Sequence, residues 1–178
     1  DFACTVNAQK IEISGSDFKI DGVNQTYPTV GGQKVIPPGT YCATELFQIN
    51  GDNIRGQITA LAPKIEVNGN NIDLTPYASN GVLFYNLPNI TAGGDGGPGG
   101  IPAPTCTFTE EMKLSNGNGS TWKGKVFHPC ARVLIDGNST STLEGAIYAL
   151  RVKVNGNGFN MIGTGGGGGT TTAFALVE

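Results

Sequence analysis

The chain has 178 residues, enough for one domain with a core of its own. It is 38% hydrophobic and only 14% charged, with 28 glycines, a composition that excludes a highly charged disordered segment and describes a turn-rich β protein. The net charge of −3 comes with no basic cluster, which excludes a binder that neutralises runs of phosphate, and no apolar run reaches membrane-spanning length.

The first residue is Asp rather than Met, and the reading is a processed, exported product from which a signal segment was removed. Cys4 follows at once, and then "KIEISG" (residues 10–15), an apolar-polar alternation closed by a small residue and Gly. Alternation of this kind marks a strand with one face buried. The same phrase returns along the chain as "SDFKIDG" (16–22), "LFQING" (46–51), "KIEVNG" (64–69), "EMKLSNG" (111–117), "RVLIDG" (132–137) and "RVKVNG" (151–156). Asn-Gly and Asp-Gly supply turns with positive φ.

The intervals are regular: 18 residues from Gly51 to Gly69, 20 from Gly117 to Gly137 and 19 from Gly137 to Gly156. That spacing predicts a β-solenoid of about 18 to 20 residues per coil, each coil built of three short strands. A β-sandwich or jelly roll is the alternative, although its turns recur about every 8–12 residues. Stacked coils would place Asn50 near Asn68 and Asp136 near Asn155, as hydrogen-bonded side-chain ladders. The gap of 48 residues between Gly69 and Gly117 has room for one further turn and an insertion. Within it, "AGGDGGPGG" (92–100) reads as a flexible loop. The stretch "STSTLEGAIYALRV" (139–152) is broken by Gly145 and fits strands better than a helix, although a short helix could cover one end. Residues 1–162 are thus expected to form a single β domain, followed by a polyglycine linker at 163–169 and a terminal strand at 170–178.

Four cysteines, Cys4, Cys42, Cys106 and Cys130, stand outside any C-x-x-C spacing and suggest disulfides in an oxidising compartment. The pairing Cys4–Cys42 and Cys106–Cys130 closes a modest loop in each half of the chain; four free thiols in a reducing compartment are the alternative. Sequons at Asn24, Asn89, Asn118 and Asn138 are candidate glycosylation acceptors.

"VIPPGTYC" (35–42), followed by a strand and an Asn-Gly turn, resembles the exported Gly/Asn-rich region of proteins associated with tight-adherence (Flp-type) pilus assembly. "GVLFYN" (81–86) and "GAIYALRVKVNGNG" (145–158) are similar to further phrases of that region. The resemblance implies an exported, surface-associated, non-enzymatic β-solenoid.

Signals for chemistry are sparse. The one histidine, His128 in "FHPC", reads as a structural residue in a disulfide-bonded turn, and no second His or Cys pair supplies a metal site. Gly163, Gly165 and Gly168 formally match G-x-G-x-x-G but lack the strand-turn-helix setting and the distant acidic residue of a dinucleotide site. A polysaccharide-cleaving β-helix would need clustered carboxylates. Asp52, Asp73 and Asp136 with Arg55 are the candidates, and turn residues such as Asp95 could hold calcium. We expect no cofactor and no catalysis. The tail "TTTAFALVE" is apolar on both sides, with Thr172, Phe174 and Leu176 on one and Ala173, Ala175 and Val177 on the other. It is expected either to close its own sheet or to act as a donor strand for another subunit. Three functions compete: the subunit of an extracellular filament polymerised through this strand, a surface adhesin or glycan-binding module with aromatics such as Trp122 on a flat face, and a hydrolase or lyase.

Overall fold

The computed structural model describes residues 3–86, 111–137, 140–156 and 160–163. Thirteen strands and no helix occur among them: β1 (Val6–Ser14), β2 (Phe18–Ile20), β3 (Val23–Gln25), β4 (Thr29–Val30), β5 (Gln33–Asn50), β6 (Ile54–Ala62), β7 (Lys64–Gly69), β8 (Ile72–Thr75), β9 (Val82–Asn86), β10 (Met112–Asn116), β11 (Thr121–Gly137), β12 (Thr142–Asn155) and β13 (Asn160–Gly163). They build a parallel β-solenoid of about five turns.

Each coil visits three sides in order. The first side stacks β1, β5, β7, β10, β11 and β12, with Ile13, Ile49, Val67, Leu114, Ile135 and Val154 in one register. The second side carries the row Ile36, Gly56, Leu74, Trp122, Leu143 and Met161. The third carries Tyr41, Ala60, Phe84, Val126 and Ile147. Long strands such as β5 and β11 turn from one side to the next where the register breaks, between Ile36 and Gly39 and between His128 and Arg132. Alternation thus becomes three inward rows, which form one core. Each buried Ile or Leu in it contributes about 1.5–3 kcal/mol relative to an exposed one. On the second side Gly56 stands between Ile36 and Leu74, where an added Cβ would lie 3.0 Å from Ile36 Cβ.

The recurring Asn-Gly phrase is the corner between the first and second sides. Gly51 and Gly69 occupy equivalent corners of successive coils, and their backbones touch: a Cβ on Gly69 would meet the Gly51 carbonyl oxygen at 2.0 Å. Glycine is therefore required for close approach of coil to coil. The positive φ expected at the phrase is found at Gly69 (148°) and Gly156 (105°), and positive φ recurs later in the same corner at Asn53 (59°) and Asn71 (54°). Three side-chain ladders run along the corner. Asn68 Nδ2 donates to Asn50 Oδ1 at 3.1 Å, and Asn71 Nδ2 donates to Asn53 Oδ1 at 2.7 Å. Asp52 Oδ1 accepts from the Asn70 backbone N–H at 2.7 Å, while Asn70 Oδ1 accepts from the Asn118 N–H at 3.0 Å. Asp136 and Asn155 stand in register, as expected.

One phrase does something else. Ile20-Asp21-Gly22 is a hairpin turn between the antiparallel β2 and β3, with φ of 49° and 77° at Asp21 and Gly22. The hairpin adds to the outer edge of β1, and Asp21 Oδ1 accepts from the N–H groups of Gln9 (2.8 Å) and Lys10 (2.7 Å). Phe18 lies edge-on to Tyr27 and tilted against Tyr41, closing the core at this end. The 48-residue interval is a single coil: β10 pairs directly with β7, and β11 with β8. No described helix is long and apolar enough to cross a membrane.

Candidate functional site

The two ends of the solenoid differ. At the N-terminal end the inward residues of the first side, Ile11 and Ile13, are 0% and 1% exposed beneath the β2–β3 hairpin. At the C-terminal end the inward residues in the same rows, Val152 and Val154, are 39% and 43% exposed. Among the described residues β13 covers the start of β12, from Thr142 opposite Asn160 to Gly145 opposite Gly163. Among the described residues nothing pairs with the outer edge of β12 beyond Gly145. Among the described residues the outward N–H and C=O groups of that edge have no strand partner beside Tyr148, Leu150, Val152 and Val154, and an apolar open edge is a template for another strand.

An aromatic row on the outward face of the third side ends at the same place. Tyr85 and Phe127 have ring centroids 5.8 Å apart, and Phe127 and Tyr148 stack at 4.5 Å with planes 8° apart. Each ring covers the next, and the last, Tyr148, is 46% exposed. Among the described residues no further ring continues the row beyond Tyr148.

A second concavity follows the Asn-Gly corner, a groove of about 230 Å³ lined by Asn68, Ser115, Asp136, Asn155 and the corner glycines. It has amide, hydroxyl and carboxylate oxygens on its wall and is open to solvent.

The residues singled out in the sequence fall as follows. Cys4 and Cys42 form a disulfide with Cα atoms 5.8 Å apart, tying the start of β1 to β5. Cys130 is buried, while Cys106 lies outside the described residues, so their pairing does too. Asn24 on β3 and Asn118 at the corner are both exposed; Asn89 and Asn138 lie outside the described residues. So do Asp95, the 92–100 loop, and the tail with Thr172, Ala173, Phe174, Ala175, Leu176 and Val177.

Asp52, Asp73 and Asp136 are not brought to one place. Asp52 belongs to a corner ladder, Asp73 lies beside Arg55 on the second side, and Asp136 sits on the first. Asp73 accepts from Gln33 Nε2 at 3.2 Å and from the Thr121 N–H at 3.2 Å, a bracing role between coils. Among the described residues no three His, Cys, Asp or Glu side chains gather into a metal-sized cluster. His128 is fully buried within β11, in a strand rather than the expected turn.

Trp122 corrects an expectation outright. It is 0% exposed, edge-on to Phe84 at 6.4 Å, and is a core residue rather than part of a binding face. The outward aromatics of the stacked row, Tyr85, Phe127 and Tyr148, had no distinguishing signal beyond alternation.

No family model matches the chain. No curated protein and no solved structure is significantly similar to it either. The likeness to the tight-adherence pilus region therefore stands on the sequence phrases alone, and the site must be read from its own geometry.

Proposed function

We propose that this chain is a non-enzymatic structural protein of an extracellular surface, assembled with copies of itself by β-strand addition at the open end of its solenoid. The observation that carries the reading is the contrast between the two ends: inward residues sealed at the hairpin end and open at β12. An uncovered parallel coil gains backbone hydrogen bonds and apolar contact from any strand laid along it. The same chain carries an apolar candidate in residues 170–178 on a glycine tether. The Cys4–Cys42 bridge supports an oxidising location, in line with export. The ladders, stacked glycines and continuous inward rows suit a rigid rod, the form expected of a surface filament component.

Sedimentation velocity of the full chain and of a chain lacking residues 170–178 tests this. The full chain should assemble, and the truncated chain should sediment as a monomer with an unchanged far-ultraviolet spectrum. Full-length protein that stays monomeric at all concentrations would end the reading.

A further inference from the structure

We infer that the outward side of β10, β11 and β12 is a binding site for an anionic glycan, with sugar hydroxyls against Asp136 and the sugar's carboxylate or sulfate against Lys113, Arg151 and Lys153. The inference stands apart from the assembly reading. These side chains point outward from the stack, whereas a strand joining the β12 edge joins it sideways, so it would lengthen the site rather than fill it.

The groove follows from the way the coils stack. Close approach at the corner excludes side chains there: a Cβ on Gly156 would collide with the Gly137 carbonyl oxygen, and one on Gly117 with the Gly69 carbonyl oxygen. The glycines leave a depression of about 230 Å³ beside the polar row Asn68, Ser115, Asp136 and Asn155, which stands in one register. Towards the hairpin end such rows satisfy themselves, as Asn68 Nδ2 does by donating to Asn50 Oδ1 at 3.1 Å. From Ser115 onward the ladder stops. Among the described residues the side chains of Ser115, Asp136 and Asn155 have no hydrogen-bond partner. A hydroxyl, a carboxylate and an amide, spread over roughly 10 Å of adjacent strands, thus line the groove with their hydrogen-bonding capacity unused.

The same strands carry cations. Two residues before the polar row, Lys113, Leu134 and Lys153 share a register, and two residues earlier still Arg132 stands opposite Arg151. Alternation puts all of them on the outward side with Asp136. Lys113, Arg151 and Lys153 are exposed, and among the described residues no carboxylate pairs with them; Glu111 pairs with Arg132. The patch sets four cations against the carboxylates of Glu111 and Asp136, on a chain whose net charge is −3. No run of sequence announces it, because Lys113 and Lys153 are 40 residues apart and only stacking brings their strands to about 10 Å. Half-buried Leu134 lies between the two lysines and offers an apolar rest for the C–H face of a sugar ring. Asp136 decides the class of anion. Phosphate alone is repelled by it and has no proton to give it, whereas sugar hydroxyls donate to it while the sugar's acid group accepts charge-assisted hydrogen bonds from Lys and Arg. The groove is smaller than the roughly 300–1,000 Å³ that encloses a drug-sized ligand, and it is open to solvent, which suits one ring of a longer chain.

The test is fluorescence anisotropy of labelled oligomers with the full-length chain at physiological salt. The probes are an oligogalacturonate, a sulfated heparin oligosaccharide, an uncharged cello-oligosaccharide of equal length and an oligodeoxythymidylate. At least one acidic oligosaccharide should bind about tenfold or more tightly than the uncharged one, and which of them binds tells carboxylate from sulfate. Added salt should weaken that binding. Replacing Lys113 and Lys153 together by Gln should weaken it about tenfold. Asp136→Asn separates a glycan site from a merely cationic surface. Loss of the hydroxyl acceptor should weaken glycan binding about tenfold, although the change removes a negative charge. Circular dichroism should show the parent fold in each variant; Lys153→Gln, at an exposed position, carries the test if another chain fails to fold. Failure of both acidic oligosaccharides to bind, equal binding of the uncharged one, or oligodeoxythymidylate bound as tightly as either would overturn the inference. So would an Asp136→Asn chain that binds the glycan more tightly, or lysine variants that bind it as the parent does.

Discussion

Gly69→Ala is the substitution whose cost follows most directly from the coil geometry. The new Cβ would lie 2.0 Å from the Gly51 carbonyl oxygen and 2.7 Å from its carbon. Both are backbone atoms of the neighbouring coil, so neither can rotate away. Ordinary contact needs a separation near 3.4 Å, and the two coils would have to part locally by more than an ångström. Backbone hydrogen bonds tie this corner to the coils on either side, Gly51 N–H to Asn68 O at 3.0 Å on one and Gly117 N–H to Gly69 O at 2.8 Å on the other, and displacing Gly69 weakens both. Overpacking a tight site costs about 1–3 kcal/mol, and each weakened hydrogen bond about 0.5–1.5 kcal/mol. The sum, about 2–6 kcal/mol, is a large part of the roughly 5–15 kcal/mol that holds a domain folded. For a chain of this size each kcal/mol moves the melting temperature by about 2–4 °C. Differential scanning calorimetry should therefore show Gly69→Ala melting lower by roughly 5–20 °C. Gly22→Ala is the control: it has positive φ of 77° but nothing within 4 Å, so it should lose only the conformational cost, about 1–2 kcal/mol. If Gly69→Ala melts no lower than Gly22→Ala, the corners are not stacked and the reasoning fails.

Replacing Cys4 and Cys42 together by Ser removes a bridge that closes a sequence separation of 38 residues, and chemical denaturation should show about 3–4 kcal/mol lost. Tyr41 offers a pH signature. Burial pushes its phenol up to about 12, from an ordinary value of 10.0, and its hydroxyl donates to the Pro37 carbonyl at 2.6 Å. Because the folded pKa is the higher one, its contribution is fully present below pH 10 and is lost as pH rises towards 12. Stability should fall by about 2–3 kcal/mol across that window, and Tyr41→Phe should flatten the decline; an unchanged decline would place its origin elsewhere.

Much of the architecture was written in spacing. A solenoid returns the chain to the same lateral position once per coil, so the 18 residues between Gly51 and Gly69 are one circuit, and the Asn50–Asn68 ladder follows from it. The 48-residue interval hid an ordinary coil because extra sequence was inserted without disturbing the pairing on either side. Ile20-Asp21-Gly22 misled because turn chemistry is local: the same Asp-Gly serves a hairpin or a corner, and only the partner strand decides. Trp122 was legible after all. It alternates with Thr121 and Lys123, which face outward, and that pattern points it inward; its aromatic character suggested otherwise. The open end was the least legible feature. "RVKVNG" reads like "RVLIDG" in sequence, yet Ile135 is covered by the next coil and Val154 is not, a difference set by position in the stack.

Hydrogen exchange of the 146–155 backbone, followed by mass spectrometry, addresses the central claim of an edge completed by an added strand. In the assembled full-length protein these amides should be protected, and deleting residues 170–178 should release them to fast exchange while the β5–β7 amides keep their protection. Equal exchange at 146–155 in the two proteins would contradict strand addition at β12.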